Sequence, residues 1–156
     1  MVTCHICENT NKGKGETITY CVFCGTDLVN PVNETVKKKT SDVIYKRFGQ
    51  LVITNKRLLF VRYPHTAVVD AGLLGGLLGE AIAGKMTDVD AKKGKMLGIS
   101  LTPDTLASAE IVKHGLFGKA LLIQCKDNSQ YKLLNINKNQ IDEWKDAIIQ
   151  FSESQV

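Results

Sequence analysis

Residues 49–60 read Gly49-Gln50-Leu51-Val52-Ile53-Thr54-Asn55-Lys56-Arg57-Leu58-Leu59-Phe60, with an apolar run on either side of a short polar segment. Runs rich in β-branched, leucine and aromatic residues are typical of strands. Asn55-Lys56 has the length of a two-residue hairpin connection, and asparagine tolerates positive φ. The stretch therefore predicts a β-hairpin with strands over 49–54 and 57–63.

Further strands are predicted on both sides of this hairpin. An earlier strand is expected over 35–39 or over 43–47. Four later strands are expected over 98–101, 107–113, 119–126 and 130–134. Turn-forming residues separate the last three of these strands, which predicts that they form an antiparallel meander.

The chain ends in a pattern that predicts one amphipathic helix. Its apolar residues recur at spacings of three, four and three, and these are Ile141, Trp144, Ile148 and Phe151. Asn139 is expected to cap the helix. A helix with a single apolar stripe must cover another element. The sequence thus predicts a mainly β fold, in which a bent sheet or partly open barrel of about seven strands is capped by a C-terminal helix.

The hairpin also carries a resemblance to a known family. Residues 49–60 resemble the G-x-L-x-x-T-x-x-R-L-x-F signature of GRAM and bacterial pleckstrin-homology-like (PH-like) domains, and Trp144 matches the tryptophan in their final helix. The resemblance covers residues 33–151, except for an insert, and implies a module that recognises lipids or peptides. The basic residues to which it assigns lipid or anion contact are Lys37, Lys38, Lys39, Lys46 and Arg47.

Two C-x-x-C pairs lie near the N-terminus, and they consist of Cys4, Cys7, Cys21 and Cys24. Each pair can bend into a knuckle, and two knuckles supply four thiolates for tetrahedral Zn²⁺. The pattern over residues 4–25 resembles the zinc-ribbon family. It predicts positive φ at Gly25 and a strand over 17–20.

The metal is expected to be structural, because four protein ligands leave no open coordination position. A redox dithiol and an iron–sulfur site remain alternatives, and His5 is expected outside the ligand set. The predicted domains are a zinc ribbon over 1–30 and a GRAM or PH-like domain over 31–156, with an insert at 70–96.

The insert is rich in glycine and leucine, and as a helix it would be bulky on one face and smooth on the other. Its candidate membrane or oligomer contacts are Leu73, Leu74, Leu77, Leu78 and Ile82. These residues could form a lipid-facing wedge, the contact of a homo-oligomer, or a segment packed on the domain's own sheet.

The net charge of +4 is concentrated in residues 36–62, where eight basic residues accompany Asp42 as the one acid. This density indicates an anionic partner such as a phospholipid surface, although lysine can also protect a strand edge from aggregation. The ribbon contains only Lys12 and Lys14 as basic residues, which makes nucleic-acid binding an unlikely function.

No phosphate-binding loop, nucleophile elbow or H-E-x-x-H motif occurs in the chain, so we expect no enzyme activity. There is also no apolar run of membrane-spanning length and no signal-peptide pattern. We expect a cytoplasmic, non-catalytic binding protein that recognises a protein partner or an anionic lipid surface, in the latter case at the membrane periphery. The alternatives are a nucleic-acid-binding zinc ribbon and a scaffold that self-associates through the insert.

Overall fold

The computed structural model describes residues 1–12, 17–30, 33–63 and 98–154. The predicted insert at 70–96 lies outside these residues. So do its five candidate contacts, Leu73, Leu74, Leu77, Leu78 and Ile82. Their contact with membrane or a second copy therefore stays a prediction. Among the described residues, no helix combines the length and the hydropathy needed to cross a membrane.

The N-terminal region contains little regular structure. Strands β1 (Val2–Thr3) and β2 (Thr10–Asn11) pair antiparallel around the first cysteine pair. The strand predicted over 17–20 is absent, and Tyr20 instead forms an isolated β-bridge with Asp27. This segment cannot extend into a ladder, because the chain turns into the second cysteine pair directly after Tyr20.

A four-stranded antiparallel sheet follows in chain order. Its strands are β3 (Val36–Tyr45), β4 (Arg47–Thr54), β5 (Leu58–Arg62) and β6 (Gly98–Leu101). The predicted hairpin is confirmed as β4 and β5. The two alternatives for the earlier strand prove to be one strand, β3, whose register is irregular between Thr40 and Val43.

The sequence suggested that Asn55 would adopt positive φ in the hairpin turn, but it is not among the described residues with positive φ. Its side chain instead holds the segment before β3. The Oδ1 atom accepts a hydrogen bond from the Thr35 amide at 2.8 Å, and Nδ2 donates to the Asn33 carbonyl at 2.6 Å. Asn55 therefore fixes where the chain enters the sheet.

The last three strands form the predicted meander, and they are β7 (Leu106–His114), β8 (Gly118–Cys125) and β9 (Gln130–Leu133). A short 3-10 helix, Pro103–Thr105, connects the two larger sheets. The sheets also meet at one backbone bridge, where Ile44 and Leu134 exchange two hydrogen bonds of 2.9 Å. Within the described residues, the seven strands β3 to β9 form two sheets rather than a closed barrel.

Helix α1 (Ile141–Glu153) packs against β7. Its N-cap is Gln140, which makes no side-chain cap, so the prediction for Asn139 was wrong. The reason is local, because the Asn139 amide donates to Asn137 Oδ1 at 3.0 Å and belongs to the turn that precedes the helix. The predicted apolar stripe is confirmed, since Ile141, Trp144, Ile148 and Phe151 are all buried in a core that the helix shares with both sheets.

Strands β4 and β5 are buried on both faces. Leu51, Ile53 and Phe60 point into the core between the two sheets and the helix. The alternate residues Val52, Leu59 and Val61 point to the opposite face and pack against the N-terminal cysteine region. Successive strand residues face opposite sides of a sheet, so this hairpin belongs to two apolar clusters at once.

We expect Ile148→Ala to lower the free energy of unfolding by about 2–5 kcal/mol, because it removes a fully buried side chain from the helix–sheet contact. Gln150→Ala, on the exposed side of the same helix, should change it by less than about 0.5 kcal/mol. Urea unfolding can be followed by the fluorescence of Trp144, the one tryptophan of the chain. Equal effects of the two substitutions would contradict the observed packing.

Candidate metal centre

The two cysteine pairs adopt the same turn. The Glu8 amide donates to the Cys4 carbonyl at 2.9 Å, and the Gly25 amide donates to the Cys21 carbonyl at 2.7 Å. The residue after each pair has positive φ, 59° at Glu8 and 71° at Gly25. The prediction for Gly25 is confirmed, and Glu8 occupies the corresponding position of the first knuckle.

All four sulfur atoms lie within 4.8 Å of one another. The Sγ atoms of Cys4 and Cys24 are 3.6 Å apart, and those of Cys7 and Cys21 are 3.5 Å apart. A zinc ion with Zn–S bonds of about 2.3 Å would separate tetrahedral ligands by roughly 3.8 Å. The four predicted ligands are therefore brought together in a buried cluster that could hold one metal ion, and exposed His5 is not part of it.

Polar side chains surround this sulfur cluster. Asn9 Nδ2 lies 3.5 Å from Cys7 Sγ, and Thr26 Oγ1 lies 3.0 Å from Cys24 Sγ. Asn11, only 2% exposed, directs Nδ2 to the second knuckle's Cys21 Sγ at 3.5 Å. Hydrogen bonds of this kind orient ligands and stabilise thiolates. The sequence analysis did not identify these residues, although Asn9 and Thr26 both follow the second cysteine of their pair by two positions.

The thiols of the cluster influence one another strongly. Hydrogen bonds, first that with Cys21, lower the pKa of Cys4, and the hydrogen bond with Cys24 lowers the pKa of Cys21. The pKa values of Cys7 and Cys24 are raised, chiefly by their hydrogen bonds with Cys21. Four negative charges this close repel one another, so ionisation of all four requires a cation between them.

Two side chains of the β4–β5 hairpin hold the knuckles from outside. Gln50 Nε2 donates to the Cys7 carbonyl at 2.5 Å, and Arg57 Nη1 donates to the Cys24 carbonyl at 2.7 Å. Both acceptors belong to the second cysteine of a pair. These hydrogen bonds lie beside the apolar contact between the two parts of the chain, which is formed by Cys4, Ile6, Cys7, Cys21, Phe23, Cys24, Val52, Leu59 and Val61.

Arg57 also forms a bidentate ion pair. Its Nε lies 2.9 Å from Glu34 Oε1, and its Nη2 lies 2.8 Å from Glu34 Oε2. The side chains of Arg57 and Glu34 are 17% and 10% exposed, and Thr54 Oγ1 donates to the same carboxylate at 2.9 Å. Burial alone would lower the pKa of Arg57, but the hydrogen bonds and charge of Glu34 raise it overall. One arginine thus connects the second knuckle, the hairpin and the segment before β3.

Two of the predicted anion contacts are engaged in ion pairs on opposite faces of β3. Lys38 Nζ lies 3.3 Å from Glu143 Oε2 in the helix and 5.3 Å from the centre of the Trp144 ring. Lys39 Nζ lies 2.8 Å from Glu8 Oε2 in the first knuckle. Since consecutive strand residues face opposite sides, Lys38 and Lys39 cannot contribute to one common surface.

The other three candidates are exposed. Lys37 lies near the start of β3, Lys46 is the residue between β3 and β4, and Arg47 begins β4. Lys46 has φ 59°, and its ammonium group lies 5.4 Å from the centre of the Tyr45 ring. Within the described part of the chain, these three residues make no ion pair, and β3 separates Lys37 from the turn.

The family model for the bacterial PH domain matches residues 13–150. This chain belongs to the bacterial PH domain family. The matched range contains the second cysteine pair as well as strands β3 to β9, so the resemblance to bacterial PH-like domains is confirmed for this part of the chain. The GRAM assignment stays a prediction.

No curated protein matches the chain significantly. Among solved structures, this bacterial PH domain protein is similar to one titled "Structure of the Spt16D Pob3N heterodimer", with 7% sequence identity and a TM-score of 0.47. The match covers 76% of this chain and 51% of the other, so the chain spans about half the length of that neighbour. At this score the likeness is remote, and no functional argument follows from it.

We expect Arg57→Met to lower the free energy of unfolding by about 3 kcal/mol, because it leaves the buried Glu34 carboxylate without its counter-ion. Adding Glu34→Gln should recover part of this loss. The control is Lys145→Met, which removes the surface pair with Asp146 and should cost less than about 1 kcal/mol. Urea denaturation measures all three, and equal losses for Arg57→Met and Lys145→Met would contradict the structural role of Arg57.

Proposed function

We propose that this bacterial PH domain protein is a non-catalytic binding module for an anionic lipid surface, with a structural zinc ion in its N-terminal ribbon. The observation that carries the lipid proposal is the charge of residues 36–62, which contain eight basic residues and Asp42 as the one acid. Lys37, Lys46 and Arg47 from this segment are exposed and form no ion pair within the described residues. Exposed basic residues without a counter-ion favour an anionic partner.

The strength of the proposed attraction can be bounded. Each lysine or arginine close to an anionic membrane contributes about 1 kcal/mol, and salt weakens this contribution. The five candidate anion contacts of the sequence analysis would together supply roughly 5 kcal/mol. Two of them, Lys38 and Lys39, are engaged in ion pairs. Even if Lys37, Lys46 and Arg47 all reached the membrane, they would give at most about 3 kcal/mol, which corresponds to weak and reversible attachment.

The proposed zinc ion follows from the donor set. Four cysteine thiolates favour zinc or iron. They are poor ligands for hard cations such as calcium and magnesium, which prefer oxygen. Sulfur contacts of 3.5 and 3.6 Å leave room for one ion and not for a multinuclear cluster. Cys4, Cys7, Cys21 and Cys24 would hold that ion in a closed shell, so zinc here would stabilise the fold and supply no reaction chemistry.

We expect the purified protein to contain one equivalent of zinc by elemental analysis, and Cys7→Ser/Cys24→Ser to contain none. Removing the metal with a chelator should lower the urea midpoint, because the buried thiolates lose their cation, and added zinc should restore it. Cys125→Ala is the matched control, since Cys125 is also buried but lies in β8, outside the cluster. Bound iron, or full stability without any metal, would contradict the zinc assignment.

We expect the zinc-loaded protein to co-sediment with vesicles of phosphatidylserine and phosphatidylcholine, and not with vesicles of phosphatidylcholine alone. Binding should weaken on going from 0.1 M to about 0.5 M salt, because the attraction is electrostatic. No sedimentation with phosphatidylserine vesicles at low salt would count against lipid binding, and equal sedimentation with both vesicle types would count against charge as its cause.

A further inference from the structure

The hairpin formed by β7 and β8 ends in an apolar tip that nothing described so far explains. Leu116 and Phe117, adjacent residues of its turn, are 92% and 89% exposed. The other exposed large apolar residues of the described chain are Met1, Val2, Val29 and Val36. Single exposed apolar residues are common in proteins, but two large ones together at a projecting turn suggest an interaction site.

Two positive charges stand directly behind this tip. Lys113 and Lys119 are cross-strand partners in the hairpin and are both exposed. Like charges placed opposite each other destabilise a strand pair. Neither lysine forms an ion pair within the described residues, and the nearest acid of the two strands, Glu110, lies further from the tip opposite Leu122. An anionic partner would remove the repulsion between the lysines.

The shape of the tip is specified by its glycines. Gly115 has φ 64°, a conformation that favours glycine, and a side chain at Gly118 would overlap the His114 carbonyl. The strand pairing continues up to His114 and Gly118, so the turn is short and supported by the ladder. Leu116 and Phe117 are thus displayed on a defined projecting turn.

We propose that this tip is the membrane contact of the protein, with Leu116 and Phe117 entering the head-group region of an anionic bilayer and Lys113 and Lys119 contacting lipid phosphate. The inference rests on the proposed binding of an anionic lipid surface, but it places the membrane contact on this tip instead of on the basic residues of segment 36–62. Apolar residues combined with flanking lysines are the pattern of interfacial membrane binding.

A bilayer fits this tip better than a protein partner does. A stable protein interface buries about 800 Å² on each side, and two side chains on a convex turn provide much less. A bilayer needs no complementary pocket and accepts a narrow apolar projection. It also presents negative charge at the depth of the lysines, which an average protein surface does not.

The tip belongs to the β7–β8 hairpin, whereas Lys46 and Arg47 lie where β3 meets β4. The turn follows Tyr45, whose ring packs 5.6 Å from that of Tyr131 in β9, close to the β8–β9 connection. The β7–β8 turn is at the opposite end of the three-stranded sheet. The two sites consist of different residues on different hairpins, so variants of the two sites can distinguish them.

The decisive experiment compares two variants of equal charge change in the zinc-loaded full chain. Lys113→Gln/Lys119→Gln should weaken partitioning to phosphatidylserine-containing vesicles about 25-fold, at roughly fivefold for each lysine. Lys46→Gln/Arg47→Gln should change it by less than about twofold. Leu116→Ser/Phe117→Ser leaves the charge unaltered and should weaken partitioning at least tenfold, because it removes the inserted side chains.

A direct probe accompanies these variants. In Phe117→Trp, the new indole starts exposed whereas Trp144 is buried, so a blue shift of emission with phosphatidylserine vesicles would report insertion of the tip. If the wild type binds but the tip variants bind equally well, or the emission does not shift, the tip is not the contact and the proposed function stands. A tip that instead inserts into a protein pocket would give this same result. If the wild type binds no anionic vesicle, the proposed function itself fails, and the inference fails with it.

Discussion

The burial of the β4–β5 hairpin on both faces is the constraint on which this structure depends. One face closes the core with Trp144 and the rest of the helix stripe, and the other carries Val52, Leu59 and Val61. Without the cysteine knuckles, these three residues would form an exposed apolar patch. The knuckles in turn are too small to bury a core of their own. The N-terminal region and the PH-like sheet therefore stabilise each other.

Polar contacts fix the position of the cysteine knuckles on the β4–β5 hairpin. The carbonyls of Cys7 and Cys24 each accept a hydrogen bond from a side chain of the hairpin, Gln50 and Arg57 respectively. Arg57 also pairs with Glu34, and a buried ion pair with satisfied hydrogen bonds tolerates little displacement. The position of the sulfur cluster on the sheet is thus set by groups that are not metal ligands. Arg57 is consequently a structural residue in this chain.

Tertiary contacts decide which lysines carry unpaired charge, and their positions along the chain do not show this. Lys38 and Lys39 look equivalent in sequence, yet one pairs with Glu143 in the helix and the other with Glu8 in the first knuckle. Lys113 and Lys119 attract no notice in sequence, yet the hairpin register places them side by side behind an exposed apolar turn. In the described part of the chain, exposed lysines without an ion pair therefore occur outside segment 36–62 as well as within it, and some lysines within the segment are paired.

The sequence by itself determined the elements whose signal is local. Apolar runs separated by turn-forming residues defined the hairpin and the meander, helical spacing defined the stripe of α1, and C-x-x-C spacing identified the four cysteines that meet. The predictions of a cap at Asn139 and of a strand over 17–20 were wrong, because those residues belong to neighbouring turns. Only the tertiary structure decided that the knuckles cover the outer face of β4 and β5, that Arg57 reaches Cys24, and that Leu116 and Phe117 stay exposed. These outcomes depend on which faces of distant segments meet, and periodicity along the chain carries no information about that choice.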